Sequence, residues 1–195
     1  MRLTVNRRSV NPVRTTGSAR YIPTTGDQVN YASQAPRPVE PGTVMQKAIP
    51  PRMVEPYLSG RRSIISGFAH RVADTGDASP RQLYDAFSLG FDGSDFSPDM
   101  PEVYVLRWRA AGTEAYKVPY SVENGGDWAM PPPFTGTGHT ASRDLAIAEY
   151  FTDPIPVPVG AEIHRIDSDK TDFIARYDGQ VWLRPTGGPE LCATG

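Results

Sequence analysis

Three histidines (His70, His139 and His164), a single cysteine (Cys192) and a Thr/Gly-rich run from Thr135 to Ser142 are the groups of this 195-residue chain whose types suggest chemistry. A His triad with one Asp would suit zinc or iron, but none of the three stands at ligand spacing to another, so structural or surface roles are expected and no metal. Cys192 has no base beside it that would generate a thiolate. The run Thr135-Gly136-Thr137-Gly138-His139-Thr140-Ala141-Ser142 is more informative. If it leads into a helix, its N–H groups and hydroxyls stand at the positive end of the helix dipole, and Arg143 adds charge for a phosphate. An ordinary helix entry is built from the same cap-favouring residues, so both readings stand. No Walker A loop, Gly-x-Gly-x-x-Gly, His-Glu-x-x-His, Cys-x-x-Cys or Gly-x-Ser-x-Gly occurs. The nucleotide triphosphatase, dinucleotide oxidoreductase, zinc protease and serine hydrolase classes therefore lose support.

The elements that must position these groups follow from periodicity and turn chemistry. Ser63 to Val72 reads as a β-rich segment with a bulge at Gly67. Ser79, Pro80 and Gln82 form a helix start with a capping box, Leu83 and Phe87 share one helical face, and Gly90 ends the run. Glu102 to Trp108 is the clearest strand and, apolar on both faces, a central one. A second strand through Ala115 to Val122 is pushed to an edge by Pro119. Asn124-Gly125-Gly126 and Pro131-Pro132-Pro133 bracket a long loop around Trp128, a natural place for a site. Ser142 caps an expected helix from Arg143 to Phe151, which places Leu145, Ala148 and Phe151 at helical spacing. Ala161–Ile166, Phe173–Tyr177 and Gln180–Arg184 read as a meander whose second turn is Asp178-Gly179.

Before these elements runs a stretch of different character. Residues 1–60 hold eight prolines and little hydrophobic periodicity, so an extended basic, Pro-rich arm is expected there, with the domain at 61–195. Val54 to Leu58 and shorter apolar pairs could pin the arm to a surface, and Pro36, Pro38 and Pro41 carry a spacing that a proline-reading groove recognises. Charge divides the same way: residues 1–62 carry ten Arg and Lys against three acids, and the remainder ten against nineteen. The arm can therefore lie across its own acidic domain or bind a protein partner, self-association included. It has no dense Lys/Arg run, which disfavours nucleic acid. No apolar run approaches the length of a membrane span, and Leu3 to Val5 is too short for the apolar core of a secretory signal. A soluble protein is expected, with any export following another route. The fold class expected is α+β, a curved and mainly antiparallel sheet with two short helices behind the arm.

Two segments resemble the ADP-ribosyltransferase superfamily, whose members place an Arg or His on an early strand, a Ser-Thr-Ser-like strand before a helix, and a late Glu on another strand. Gly67 to Asp74, followed by Ser79-Pro80 and a helix running to Gly90-Phe91, is similar to the first element, and Phe134 to Gly138 with the stretch Ala146–Phe151 is similar to the second. The resemblance implies NAD as substrate. It implies that Arg71, beside His70, holds the phosphates, and that Thr135 and Thr137, with His139 in the same loop, shape the nicotinamide ribose pocket. The chain departs from the family at the third element, since no Glu-x-Glu or Gln-x-Glu occurs; Glu162 is the nearest carboxylate in the right region, with Asp178 second. Pro132-Pro133-Phe134 and the strand carrying Arg165 also resemble part of the secreted NAD glycohydrolase toxins, which implies a phosphate role for Arg165. The function so implied is an NAD-consuming effector or toxin that cleaves the nicotinamide–ribose bond by ADP-ribosyl transfer or hydrolysis, with Glu162 stabilising the developing cation. The alternative is a non-catalytic assembly protein, such as a virion or secretion-machine component, whose arm threads over neighbouring subunits.

Overall fold

The computed structural model describes residues 35–112, 116–129 and 134–185. The most N-terminal part of the expected arm, residues 1–34, lies outside the described residues, as do the prolines Pro131 to Pro133 and Cys192. The strands are β1 (Val44–Ile49), β2 (Ile64–Arg71), β3 (Glu102–Arg109), β4 (Tyr116–Lys117), β5 (Tyr150–Pro156), β6 (Glu162–Asp167), β7 (Thr171–Tyr177) and β8 (Trp182–Leu183). The helices are α1 (Pro51–Leu58), α2 (Val72–Thr75) and α3 (Pro80–Ala86). All eight strands join one sheet in the order β4-β5-β2-β1-β3-β6-β7-β8, and every pairing is antiparallel. The protein is α+β.

Alternation along the strands gives the sheet two covered faces. On the first, Met45, Ile49, Ile65, Ala69, Leu106, Trp108 and Ile163 pack with Val54 and Tyr57 of α1. On the second, Val103, Val105 and Ile166 pack with Leu83, Ala86 and Phe87 at α3. Strand β3 contributes alternate residues to both cores, which is why its sequence is apolar throughout. The capping box forms as its residues dictate: Ser79 Oγ accepts from the Gln82 N–H, and the Ser79 N–H donates to Gln82 Oε1. The β2 register shifts between Ile65 and Gly67, the expected bulge.

The boundary expected at residue 61 moves upstream. Val44–Ile49 is an inner strand hydrogen-bonded on both sides, to β2 and to β3, and α1 buries Val54 and Tyr57. Prolines misled the reading here because their positions are tolerated ones. Pro51 starts α1, where a missing N–H costs nothing, and Pro56 sits in a helix only eight residues long that tertiary packing holds. The second expected helix, Arg143 to Phe151, is absent. Ser142 Oγ does accept from the Leu145 N–H, but the chain then extends, with the Thr140 N–H donating to Ile147 O, the Glu149 N–H to Gly138 O, and β5 beginning at Tyr150. Ile147 enters the second core while Ala148 and Tyr150 enter the first, a two-residue alternation that a helix could not supply. Of the strand expected through Ala115 to Val122, the described residues form only Tyr116–Lys117 at the sheet edge, ending before Pro119.

The β1–β2 junction is short. Only Met45↔Arg71 and Gln46↔His70 pair, after which the strands part. Side chains bridge the gap: Lys47 Nζ donates to Ser66 O and Tyr57 Oη to Ile64 O, with Arg62 Nε donating to the Tyr57 hydroxyl.

Candidate functional site

Arg71 ends β2 at the turn into α2. Its pairing with Met45 places its side chain on the first face, where Nε donates to Asp74 Oδ2 at 2.8 Å and the guanidinium carbon lies 5.7 Å from the centre of the Tyr150 ring. Both ends of the Arg71–Asp74 pair are about four-fifths buried, at 19% and 20% side-chain exposure. A planar cation fixed at Nε and stacked on an aromatic ring is pre-organised to present its remaining N–H groups to an anion.

The threonine loop reaches the same face from two strands away. His139 bridges Ala148, and the β2–β5 register Ala69↔Tyr150, carried two residues on, sets Ala148 across from Arg71. The loop is internally locked. Thr135 Oγ1 donates to His139 O at 2.6 Å and accepts from the Thr137 N–H at 3.2 Å, so the 2.9 Å contact between the two hydroxyls has Thr137 as donor. Its glycines allow close approach: at Gly138, with φ +78°, a Cβ would lie 2.6 Å from Val118 Cγ1 and 3.0 Å from Pro36 Cγ. Because no helix follows, the helix-dipole argument for a phosphate at this loop fails. Arg143 instead lines a shallow groove of about 420 Å³ with Arg81, Tyr84, Asp85, Ser88 and Ser142.

The other residues implied by the resemblance do not join Arg71. His70 points to the second face, where it is 3% exposed, stacked on Phe87 at 4.4 Å, with Nδ1 3.3 Å from Ala148 O. Burial pushes its pKa down to about 4, so its imidazole is packed in neutral form on the face opposite Arg71. Glu162 pairs with Arg107 and also projects from the second face, three strands from Arg71, where its carboxylate holds His164 Nε2 at 2.9 Å. It cannot share a first-face cleft with Arg71. Arg165 shares the Arg71 face, but it pairs with Tyr104, which pairs with Ile49, four residues along β1 from the Arg71 partner Met45. At strand spacings of about 4.8 Å and rises of about 3.4 Å the two guanidinium-bearing residues are roughly 20 Å apart. Arg165 is moreover engaged by Asp172 and Glu102. Among the described residues, no three His, Cys, Asp or Glu side chains converge as metal ligands.

Three side chains that belong to no sequence motif are prominent in the structure. Tyr150 supplies the ring under Arg71 and donates its hydroxyl to Arg37 O at 2.6 Å. Gln46, fully buried, donates to Thr75 Oγ1 at 2.7 Å and accepts from Arg107 Nε, which ties β1 to α2 behind the site. Glu149, 7% exposed, lies between Ala148 and Tyr150 and so points to the second face; burial alone pushes its carboxyl up to about 7. A signal for Glu149 was present, since a lone carboxylate interrupts the apolar run Leu145 to Phe151.

No family model, curated protein or solved structure matches this chain. No helix among the described residues is long and apolar enough to cross a membrane.

Proposed function

We propose that this protein recognises NAD through its ADP-ribose part on the first face of β2 and β5, as an NAD-directed effector of the ADP-ribosyltransferase type. One observation carries the reading: Arg71, fixed by Asp74 and stacked on Tyr150, shares its face with His139 of the Thr135–His139 loop, two strands away. Two strand spacings, roughly 10 Å, suit a ligand that has a phosphate at one end and a ribose at the other. Arg71 takes the pyrophosphate, the Tyr150 ring limits where the ligand lies, and Thr137 offers the nearer hydroxyl to the ribose. Glu162 faces the other way, so the carboxylate needed to stabilise an oxocarbenium-like ribose is not supplied from that position. Recognition therefore precedes cleavage in this reading, and turnover of the nicotinamide–ribose bond is slow. The test is ADP-ribose titration calorimetry with nicotinamide release measured in parallel. Binding lost in Arg71→Ala supports the reading; equal binding by Arg71→Ala and the parent overturns it.

The second reading is a non-catalytic interaction protein. What favours it is the placement of Glu162 away from Arg71, together with two short outermost strands, β4 and β8, each paired along one side only in the sheet order. Loss of self-association on deleting residues 1–34, with no NAD chemistry, would support it.

A further inference from the structure

Residues 35–43 approach the sheet across the first face before β1 begins. Pro36 lies against Gly138, the Arg37 carbonyl accepts the Tyr150 hydroxyl at 2.6 Å, and Val39 is partly buried against the first core. A second set of contacts anchors the end of this strap: the Gly42 N–H donates to Ala110 O and the Ala110 N–H to Thr43 O. The fixed end is therefore Gly42–Thr43, next to β1, while residues 36–39 hold on through one side-chain hydrogen bond and two partly buried apolar side chains. Pro36 and Pro38 pre-set their own φ, so this stretch loses little freedom on docking.

The strap sits where the proposed ligand must run. A ligand reaching from Arg71 towards Thr137 crosses Tyr150 and Gly138, and these are the residues that Arg37 and Pro36 occupy. We propose that residues 36–39 are an autoinhibitory strap that occupies the face between Arg71 and the Thr135–His139 loop and must lift, pivoting ahead of the Glu40–Thr43 turn, before a pyrophosphate-containing ligand binds; this rests on the reading of Arg71 given above. The strap is an intramolecular competitor. The turn behind it is pinned, since the Glu40 N–H donates to Thr43 Oγ1 and the Thr43 N–H to Glu40 O, so the strap can move while β1 stays in place.

If the binding-competent form is only a fraction of the population, apparent affinity falls by that fraction, so a strap closed about nine-tenths of the time weakens binding about tenfold. The experiment is ADP-ribose titration calorimetry on the full chain and on two loosened forms. One is Pro36→Gly/Val39→Gly, which removes the apolar hold; the other is Tyr150→Phe, which keeps the ring under Arg71 and removes the hydroxyl that Arg37 accepts. Each is also made in the Arg71→Ala background, and circular dichroism melting verifies that it folds. Tighter ADP-ribose binding in both loosened forms, abolished by Arg71→Ala, is the expected result. Unchanged or weaker affinity in both, with binding still dependent on Arg71, overturns the strap and leaves the binding reading standing. Absence of Arg71-dependent binding in every form overturns both.

Discussion

Replacing Glu149 by Gln isolates the effect of one buried carboxyl on stability. In the unfolded chain this group titrates at its ordinary value of 4.5, whereas burial on the second face raises it to about 7 in the fold. A raised carboxyl favours the folded state while it stays protonated. That contribution is complete below pH 4.5 and is lost as pH rises through 7, because the unfolded chain gives up its proton first. At about 1.4 kcal/mol per pH unit, the charged form costs the fold roughly 3 kcal/mol at pH 8 relative to pH 4. Gln has nearly the same shape and no titration, so whatever its amide costs on burial is the same at both pH values. Urea unfolding of the parent and Glu149→Gln at pH 4 and pH 8 gives four free energies, and the parent–variant difference should shift towards the variant by roughly 3 kcal/mol between the two. His70, whose neutral buried form opposes folding as pH falls from 6.5 towards 4, is common to both proteins and cancels. A difference that is the same at the two pH values, or one that favours the parent at pH 8, would refute the idea that Glu149 is buried without compensation.

Other outcomes follow from the same structure. Lys47, pushed down to about 8 by burial and by the neighbouring Arg62 charge, costs stability below pH 8, and that cost is relieved between pH 8 and 10.5; Lys47→Met should flatten the rise in melting temperature across this window, and an unaltered rise would place the titration elsewhere. Ser79→Ala removes the cap on α3 and should lower stability by about 1 kcal/mol, read as a melting point lower by about 2 to 4 °C, whereas Ser79→Asp should retain most of it.

Much of the architecture was legible because it is encoded locally. The capping box at Ser79, the bulge at Gly67 and the two-sided apolar strand β3 each rest on a few adjacent residues whose chemistry admits one outcome, whereas the hairpin expected at Asp178-Gly179 widens to a loop over 178–181, because Asp178 Oδ1 accepts from the Gln180 and Val181 N–H groups, and the strand expected over Gln180–Arg184 shortens to Trp182–Leu183. The misreadings concern segments decided by distant partners. Leu145, Ala148 and Phe151 satisfy a helical pattern, yet the N–H groups of that stretch find Gly138 and β2 instead, a pairing no local window contains. β1 was hidden among prolines because its inner position depends on β2 and β3 flanking it. For the candidate site, Arg71 was named through the resemblance and the threonine loop through its residue types, and Tyr150, whose ring lies under Arg71, was not singled out. The conflict between Glu162 and Arg165 could have been seen in advance: three residues apart on one strand, they cannot point to one face.

The junction at which β1 and β2 meet has a mechanical corollary. With a ladder two residues long, the β2-β5-β4 half and the larger half of the sheet are held together mainly by the first core they share, with Lys47 and Tyr57 reaching the Ser66 and Ile64 carbonyls and Trp108 Nε1 donating to the Tyr116 hydroxyl. Trimming either side chain would remove a contact across the seam while every ladder bond stayed intact. Arg71 sits at the closed end of that seam, where its partner Met45 is one of the two ladder residues that join the halves, so a strain that opens the sheet at its far end is felt last at the guanidinium.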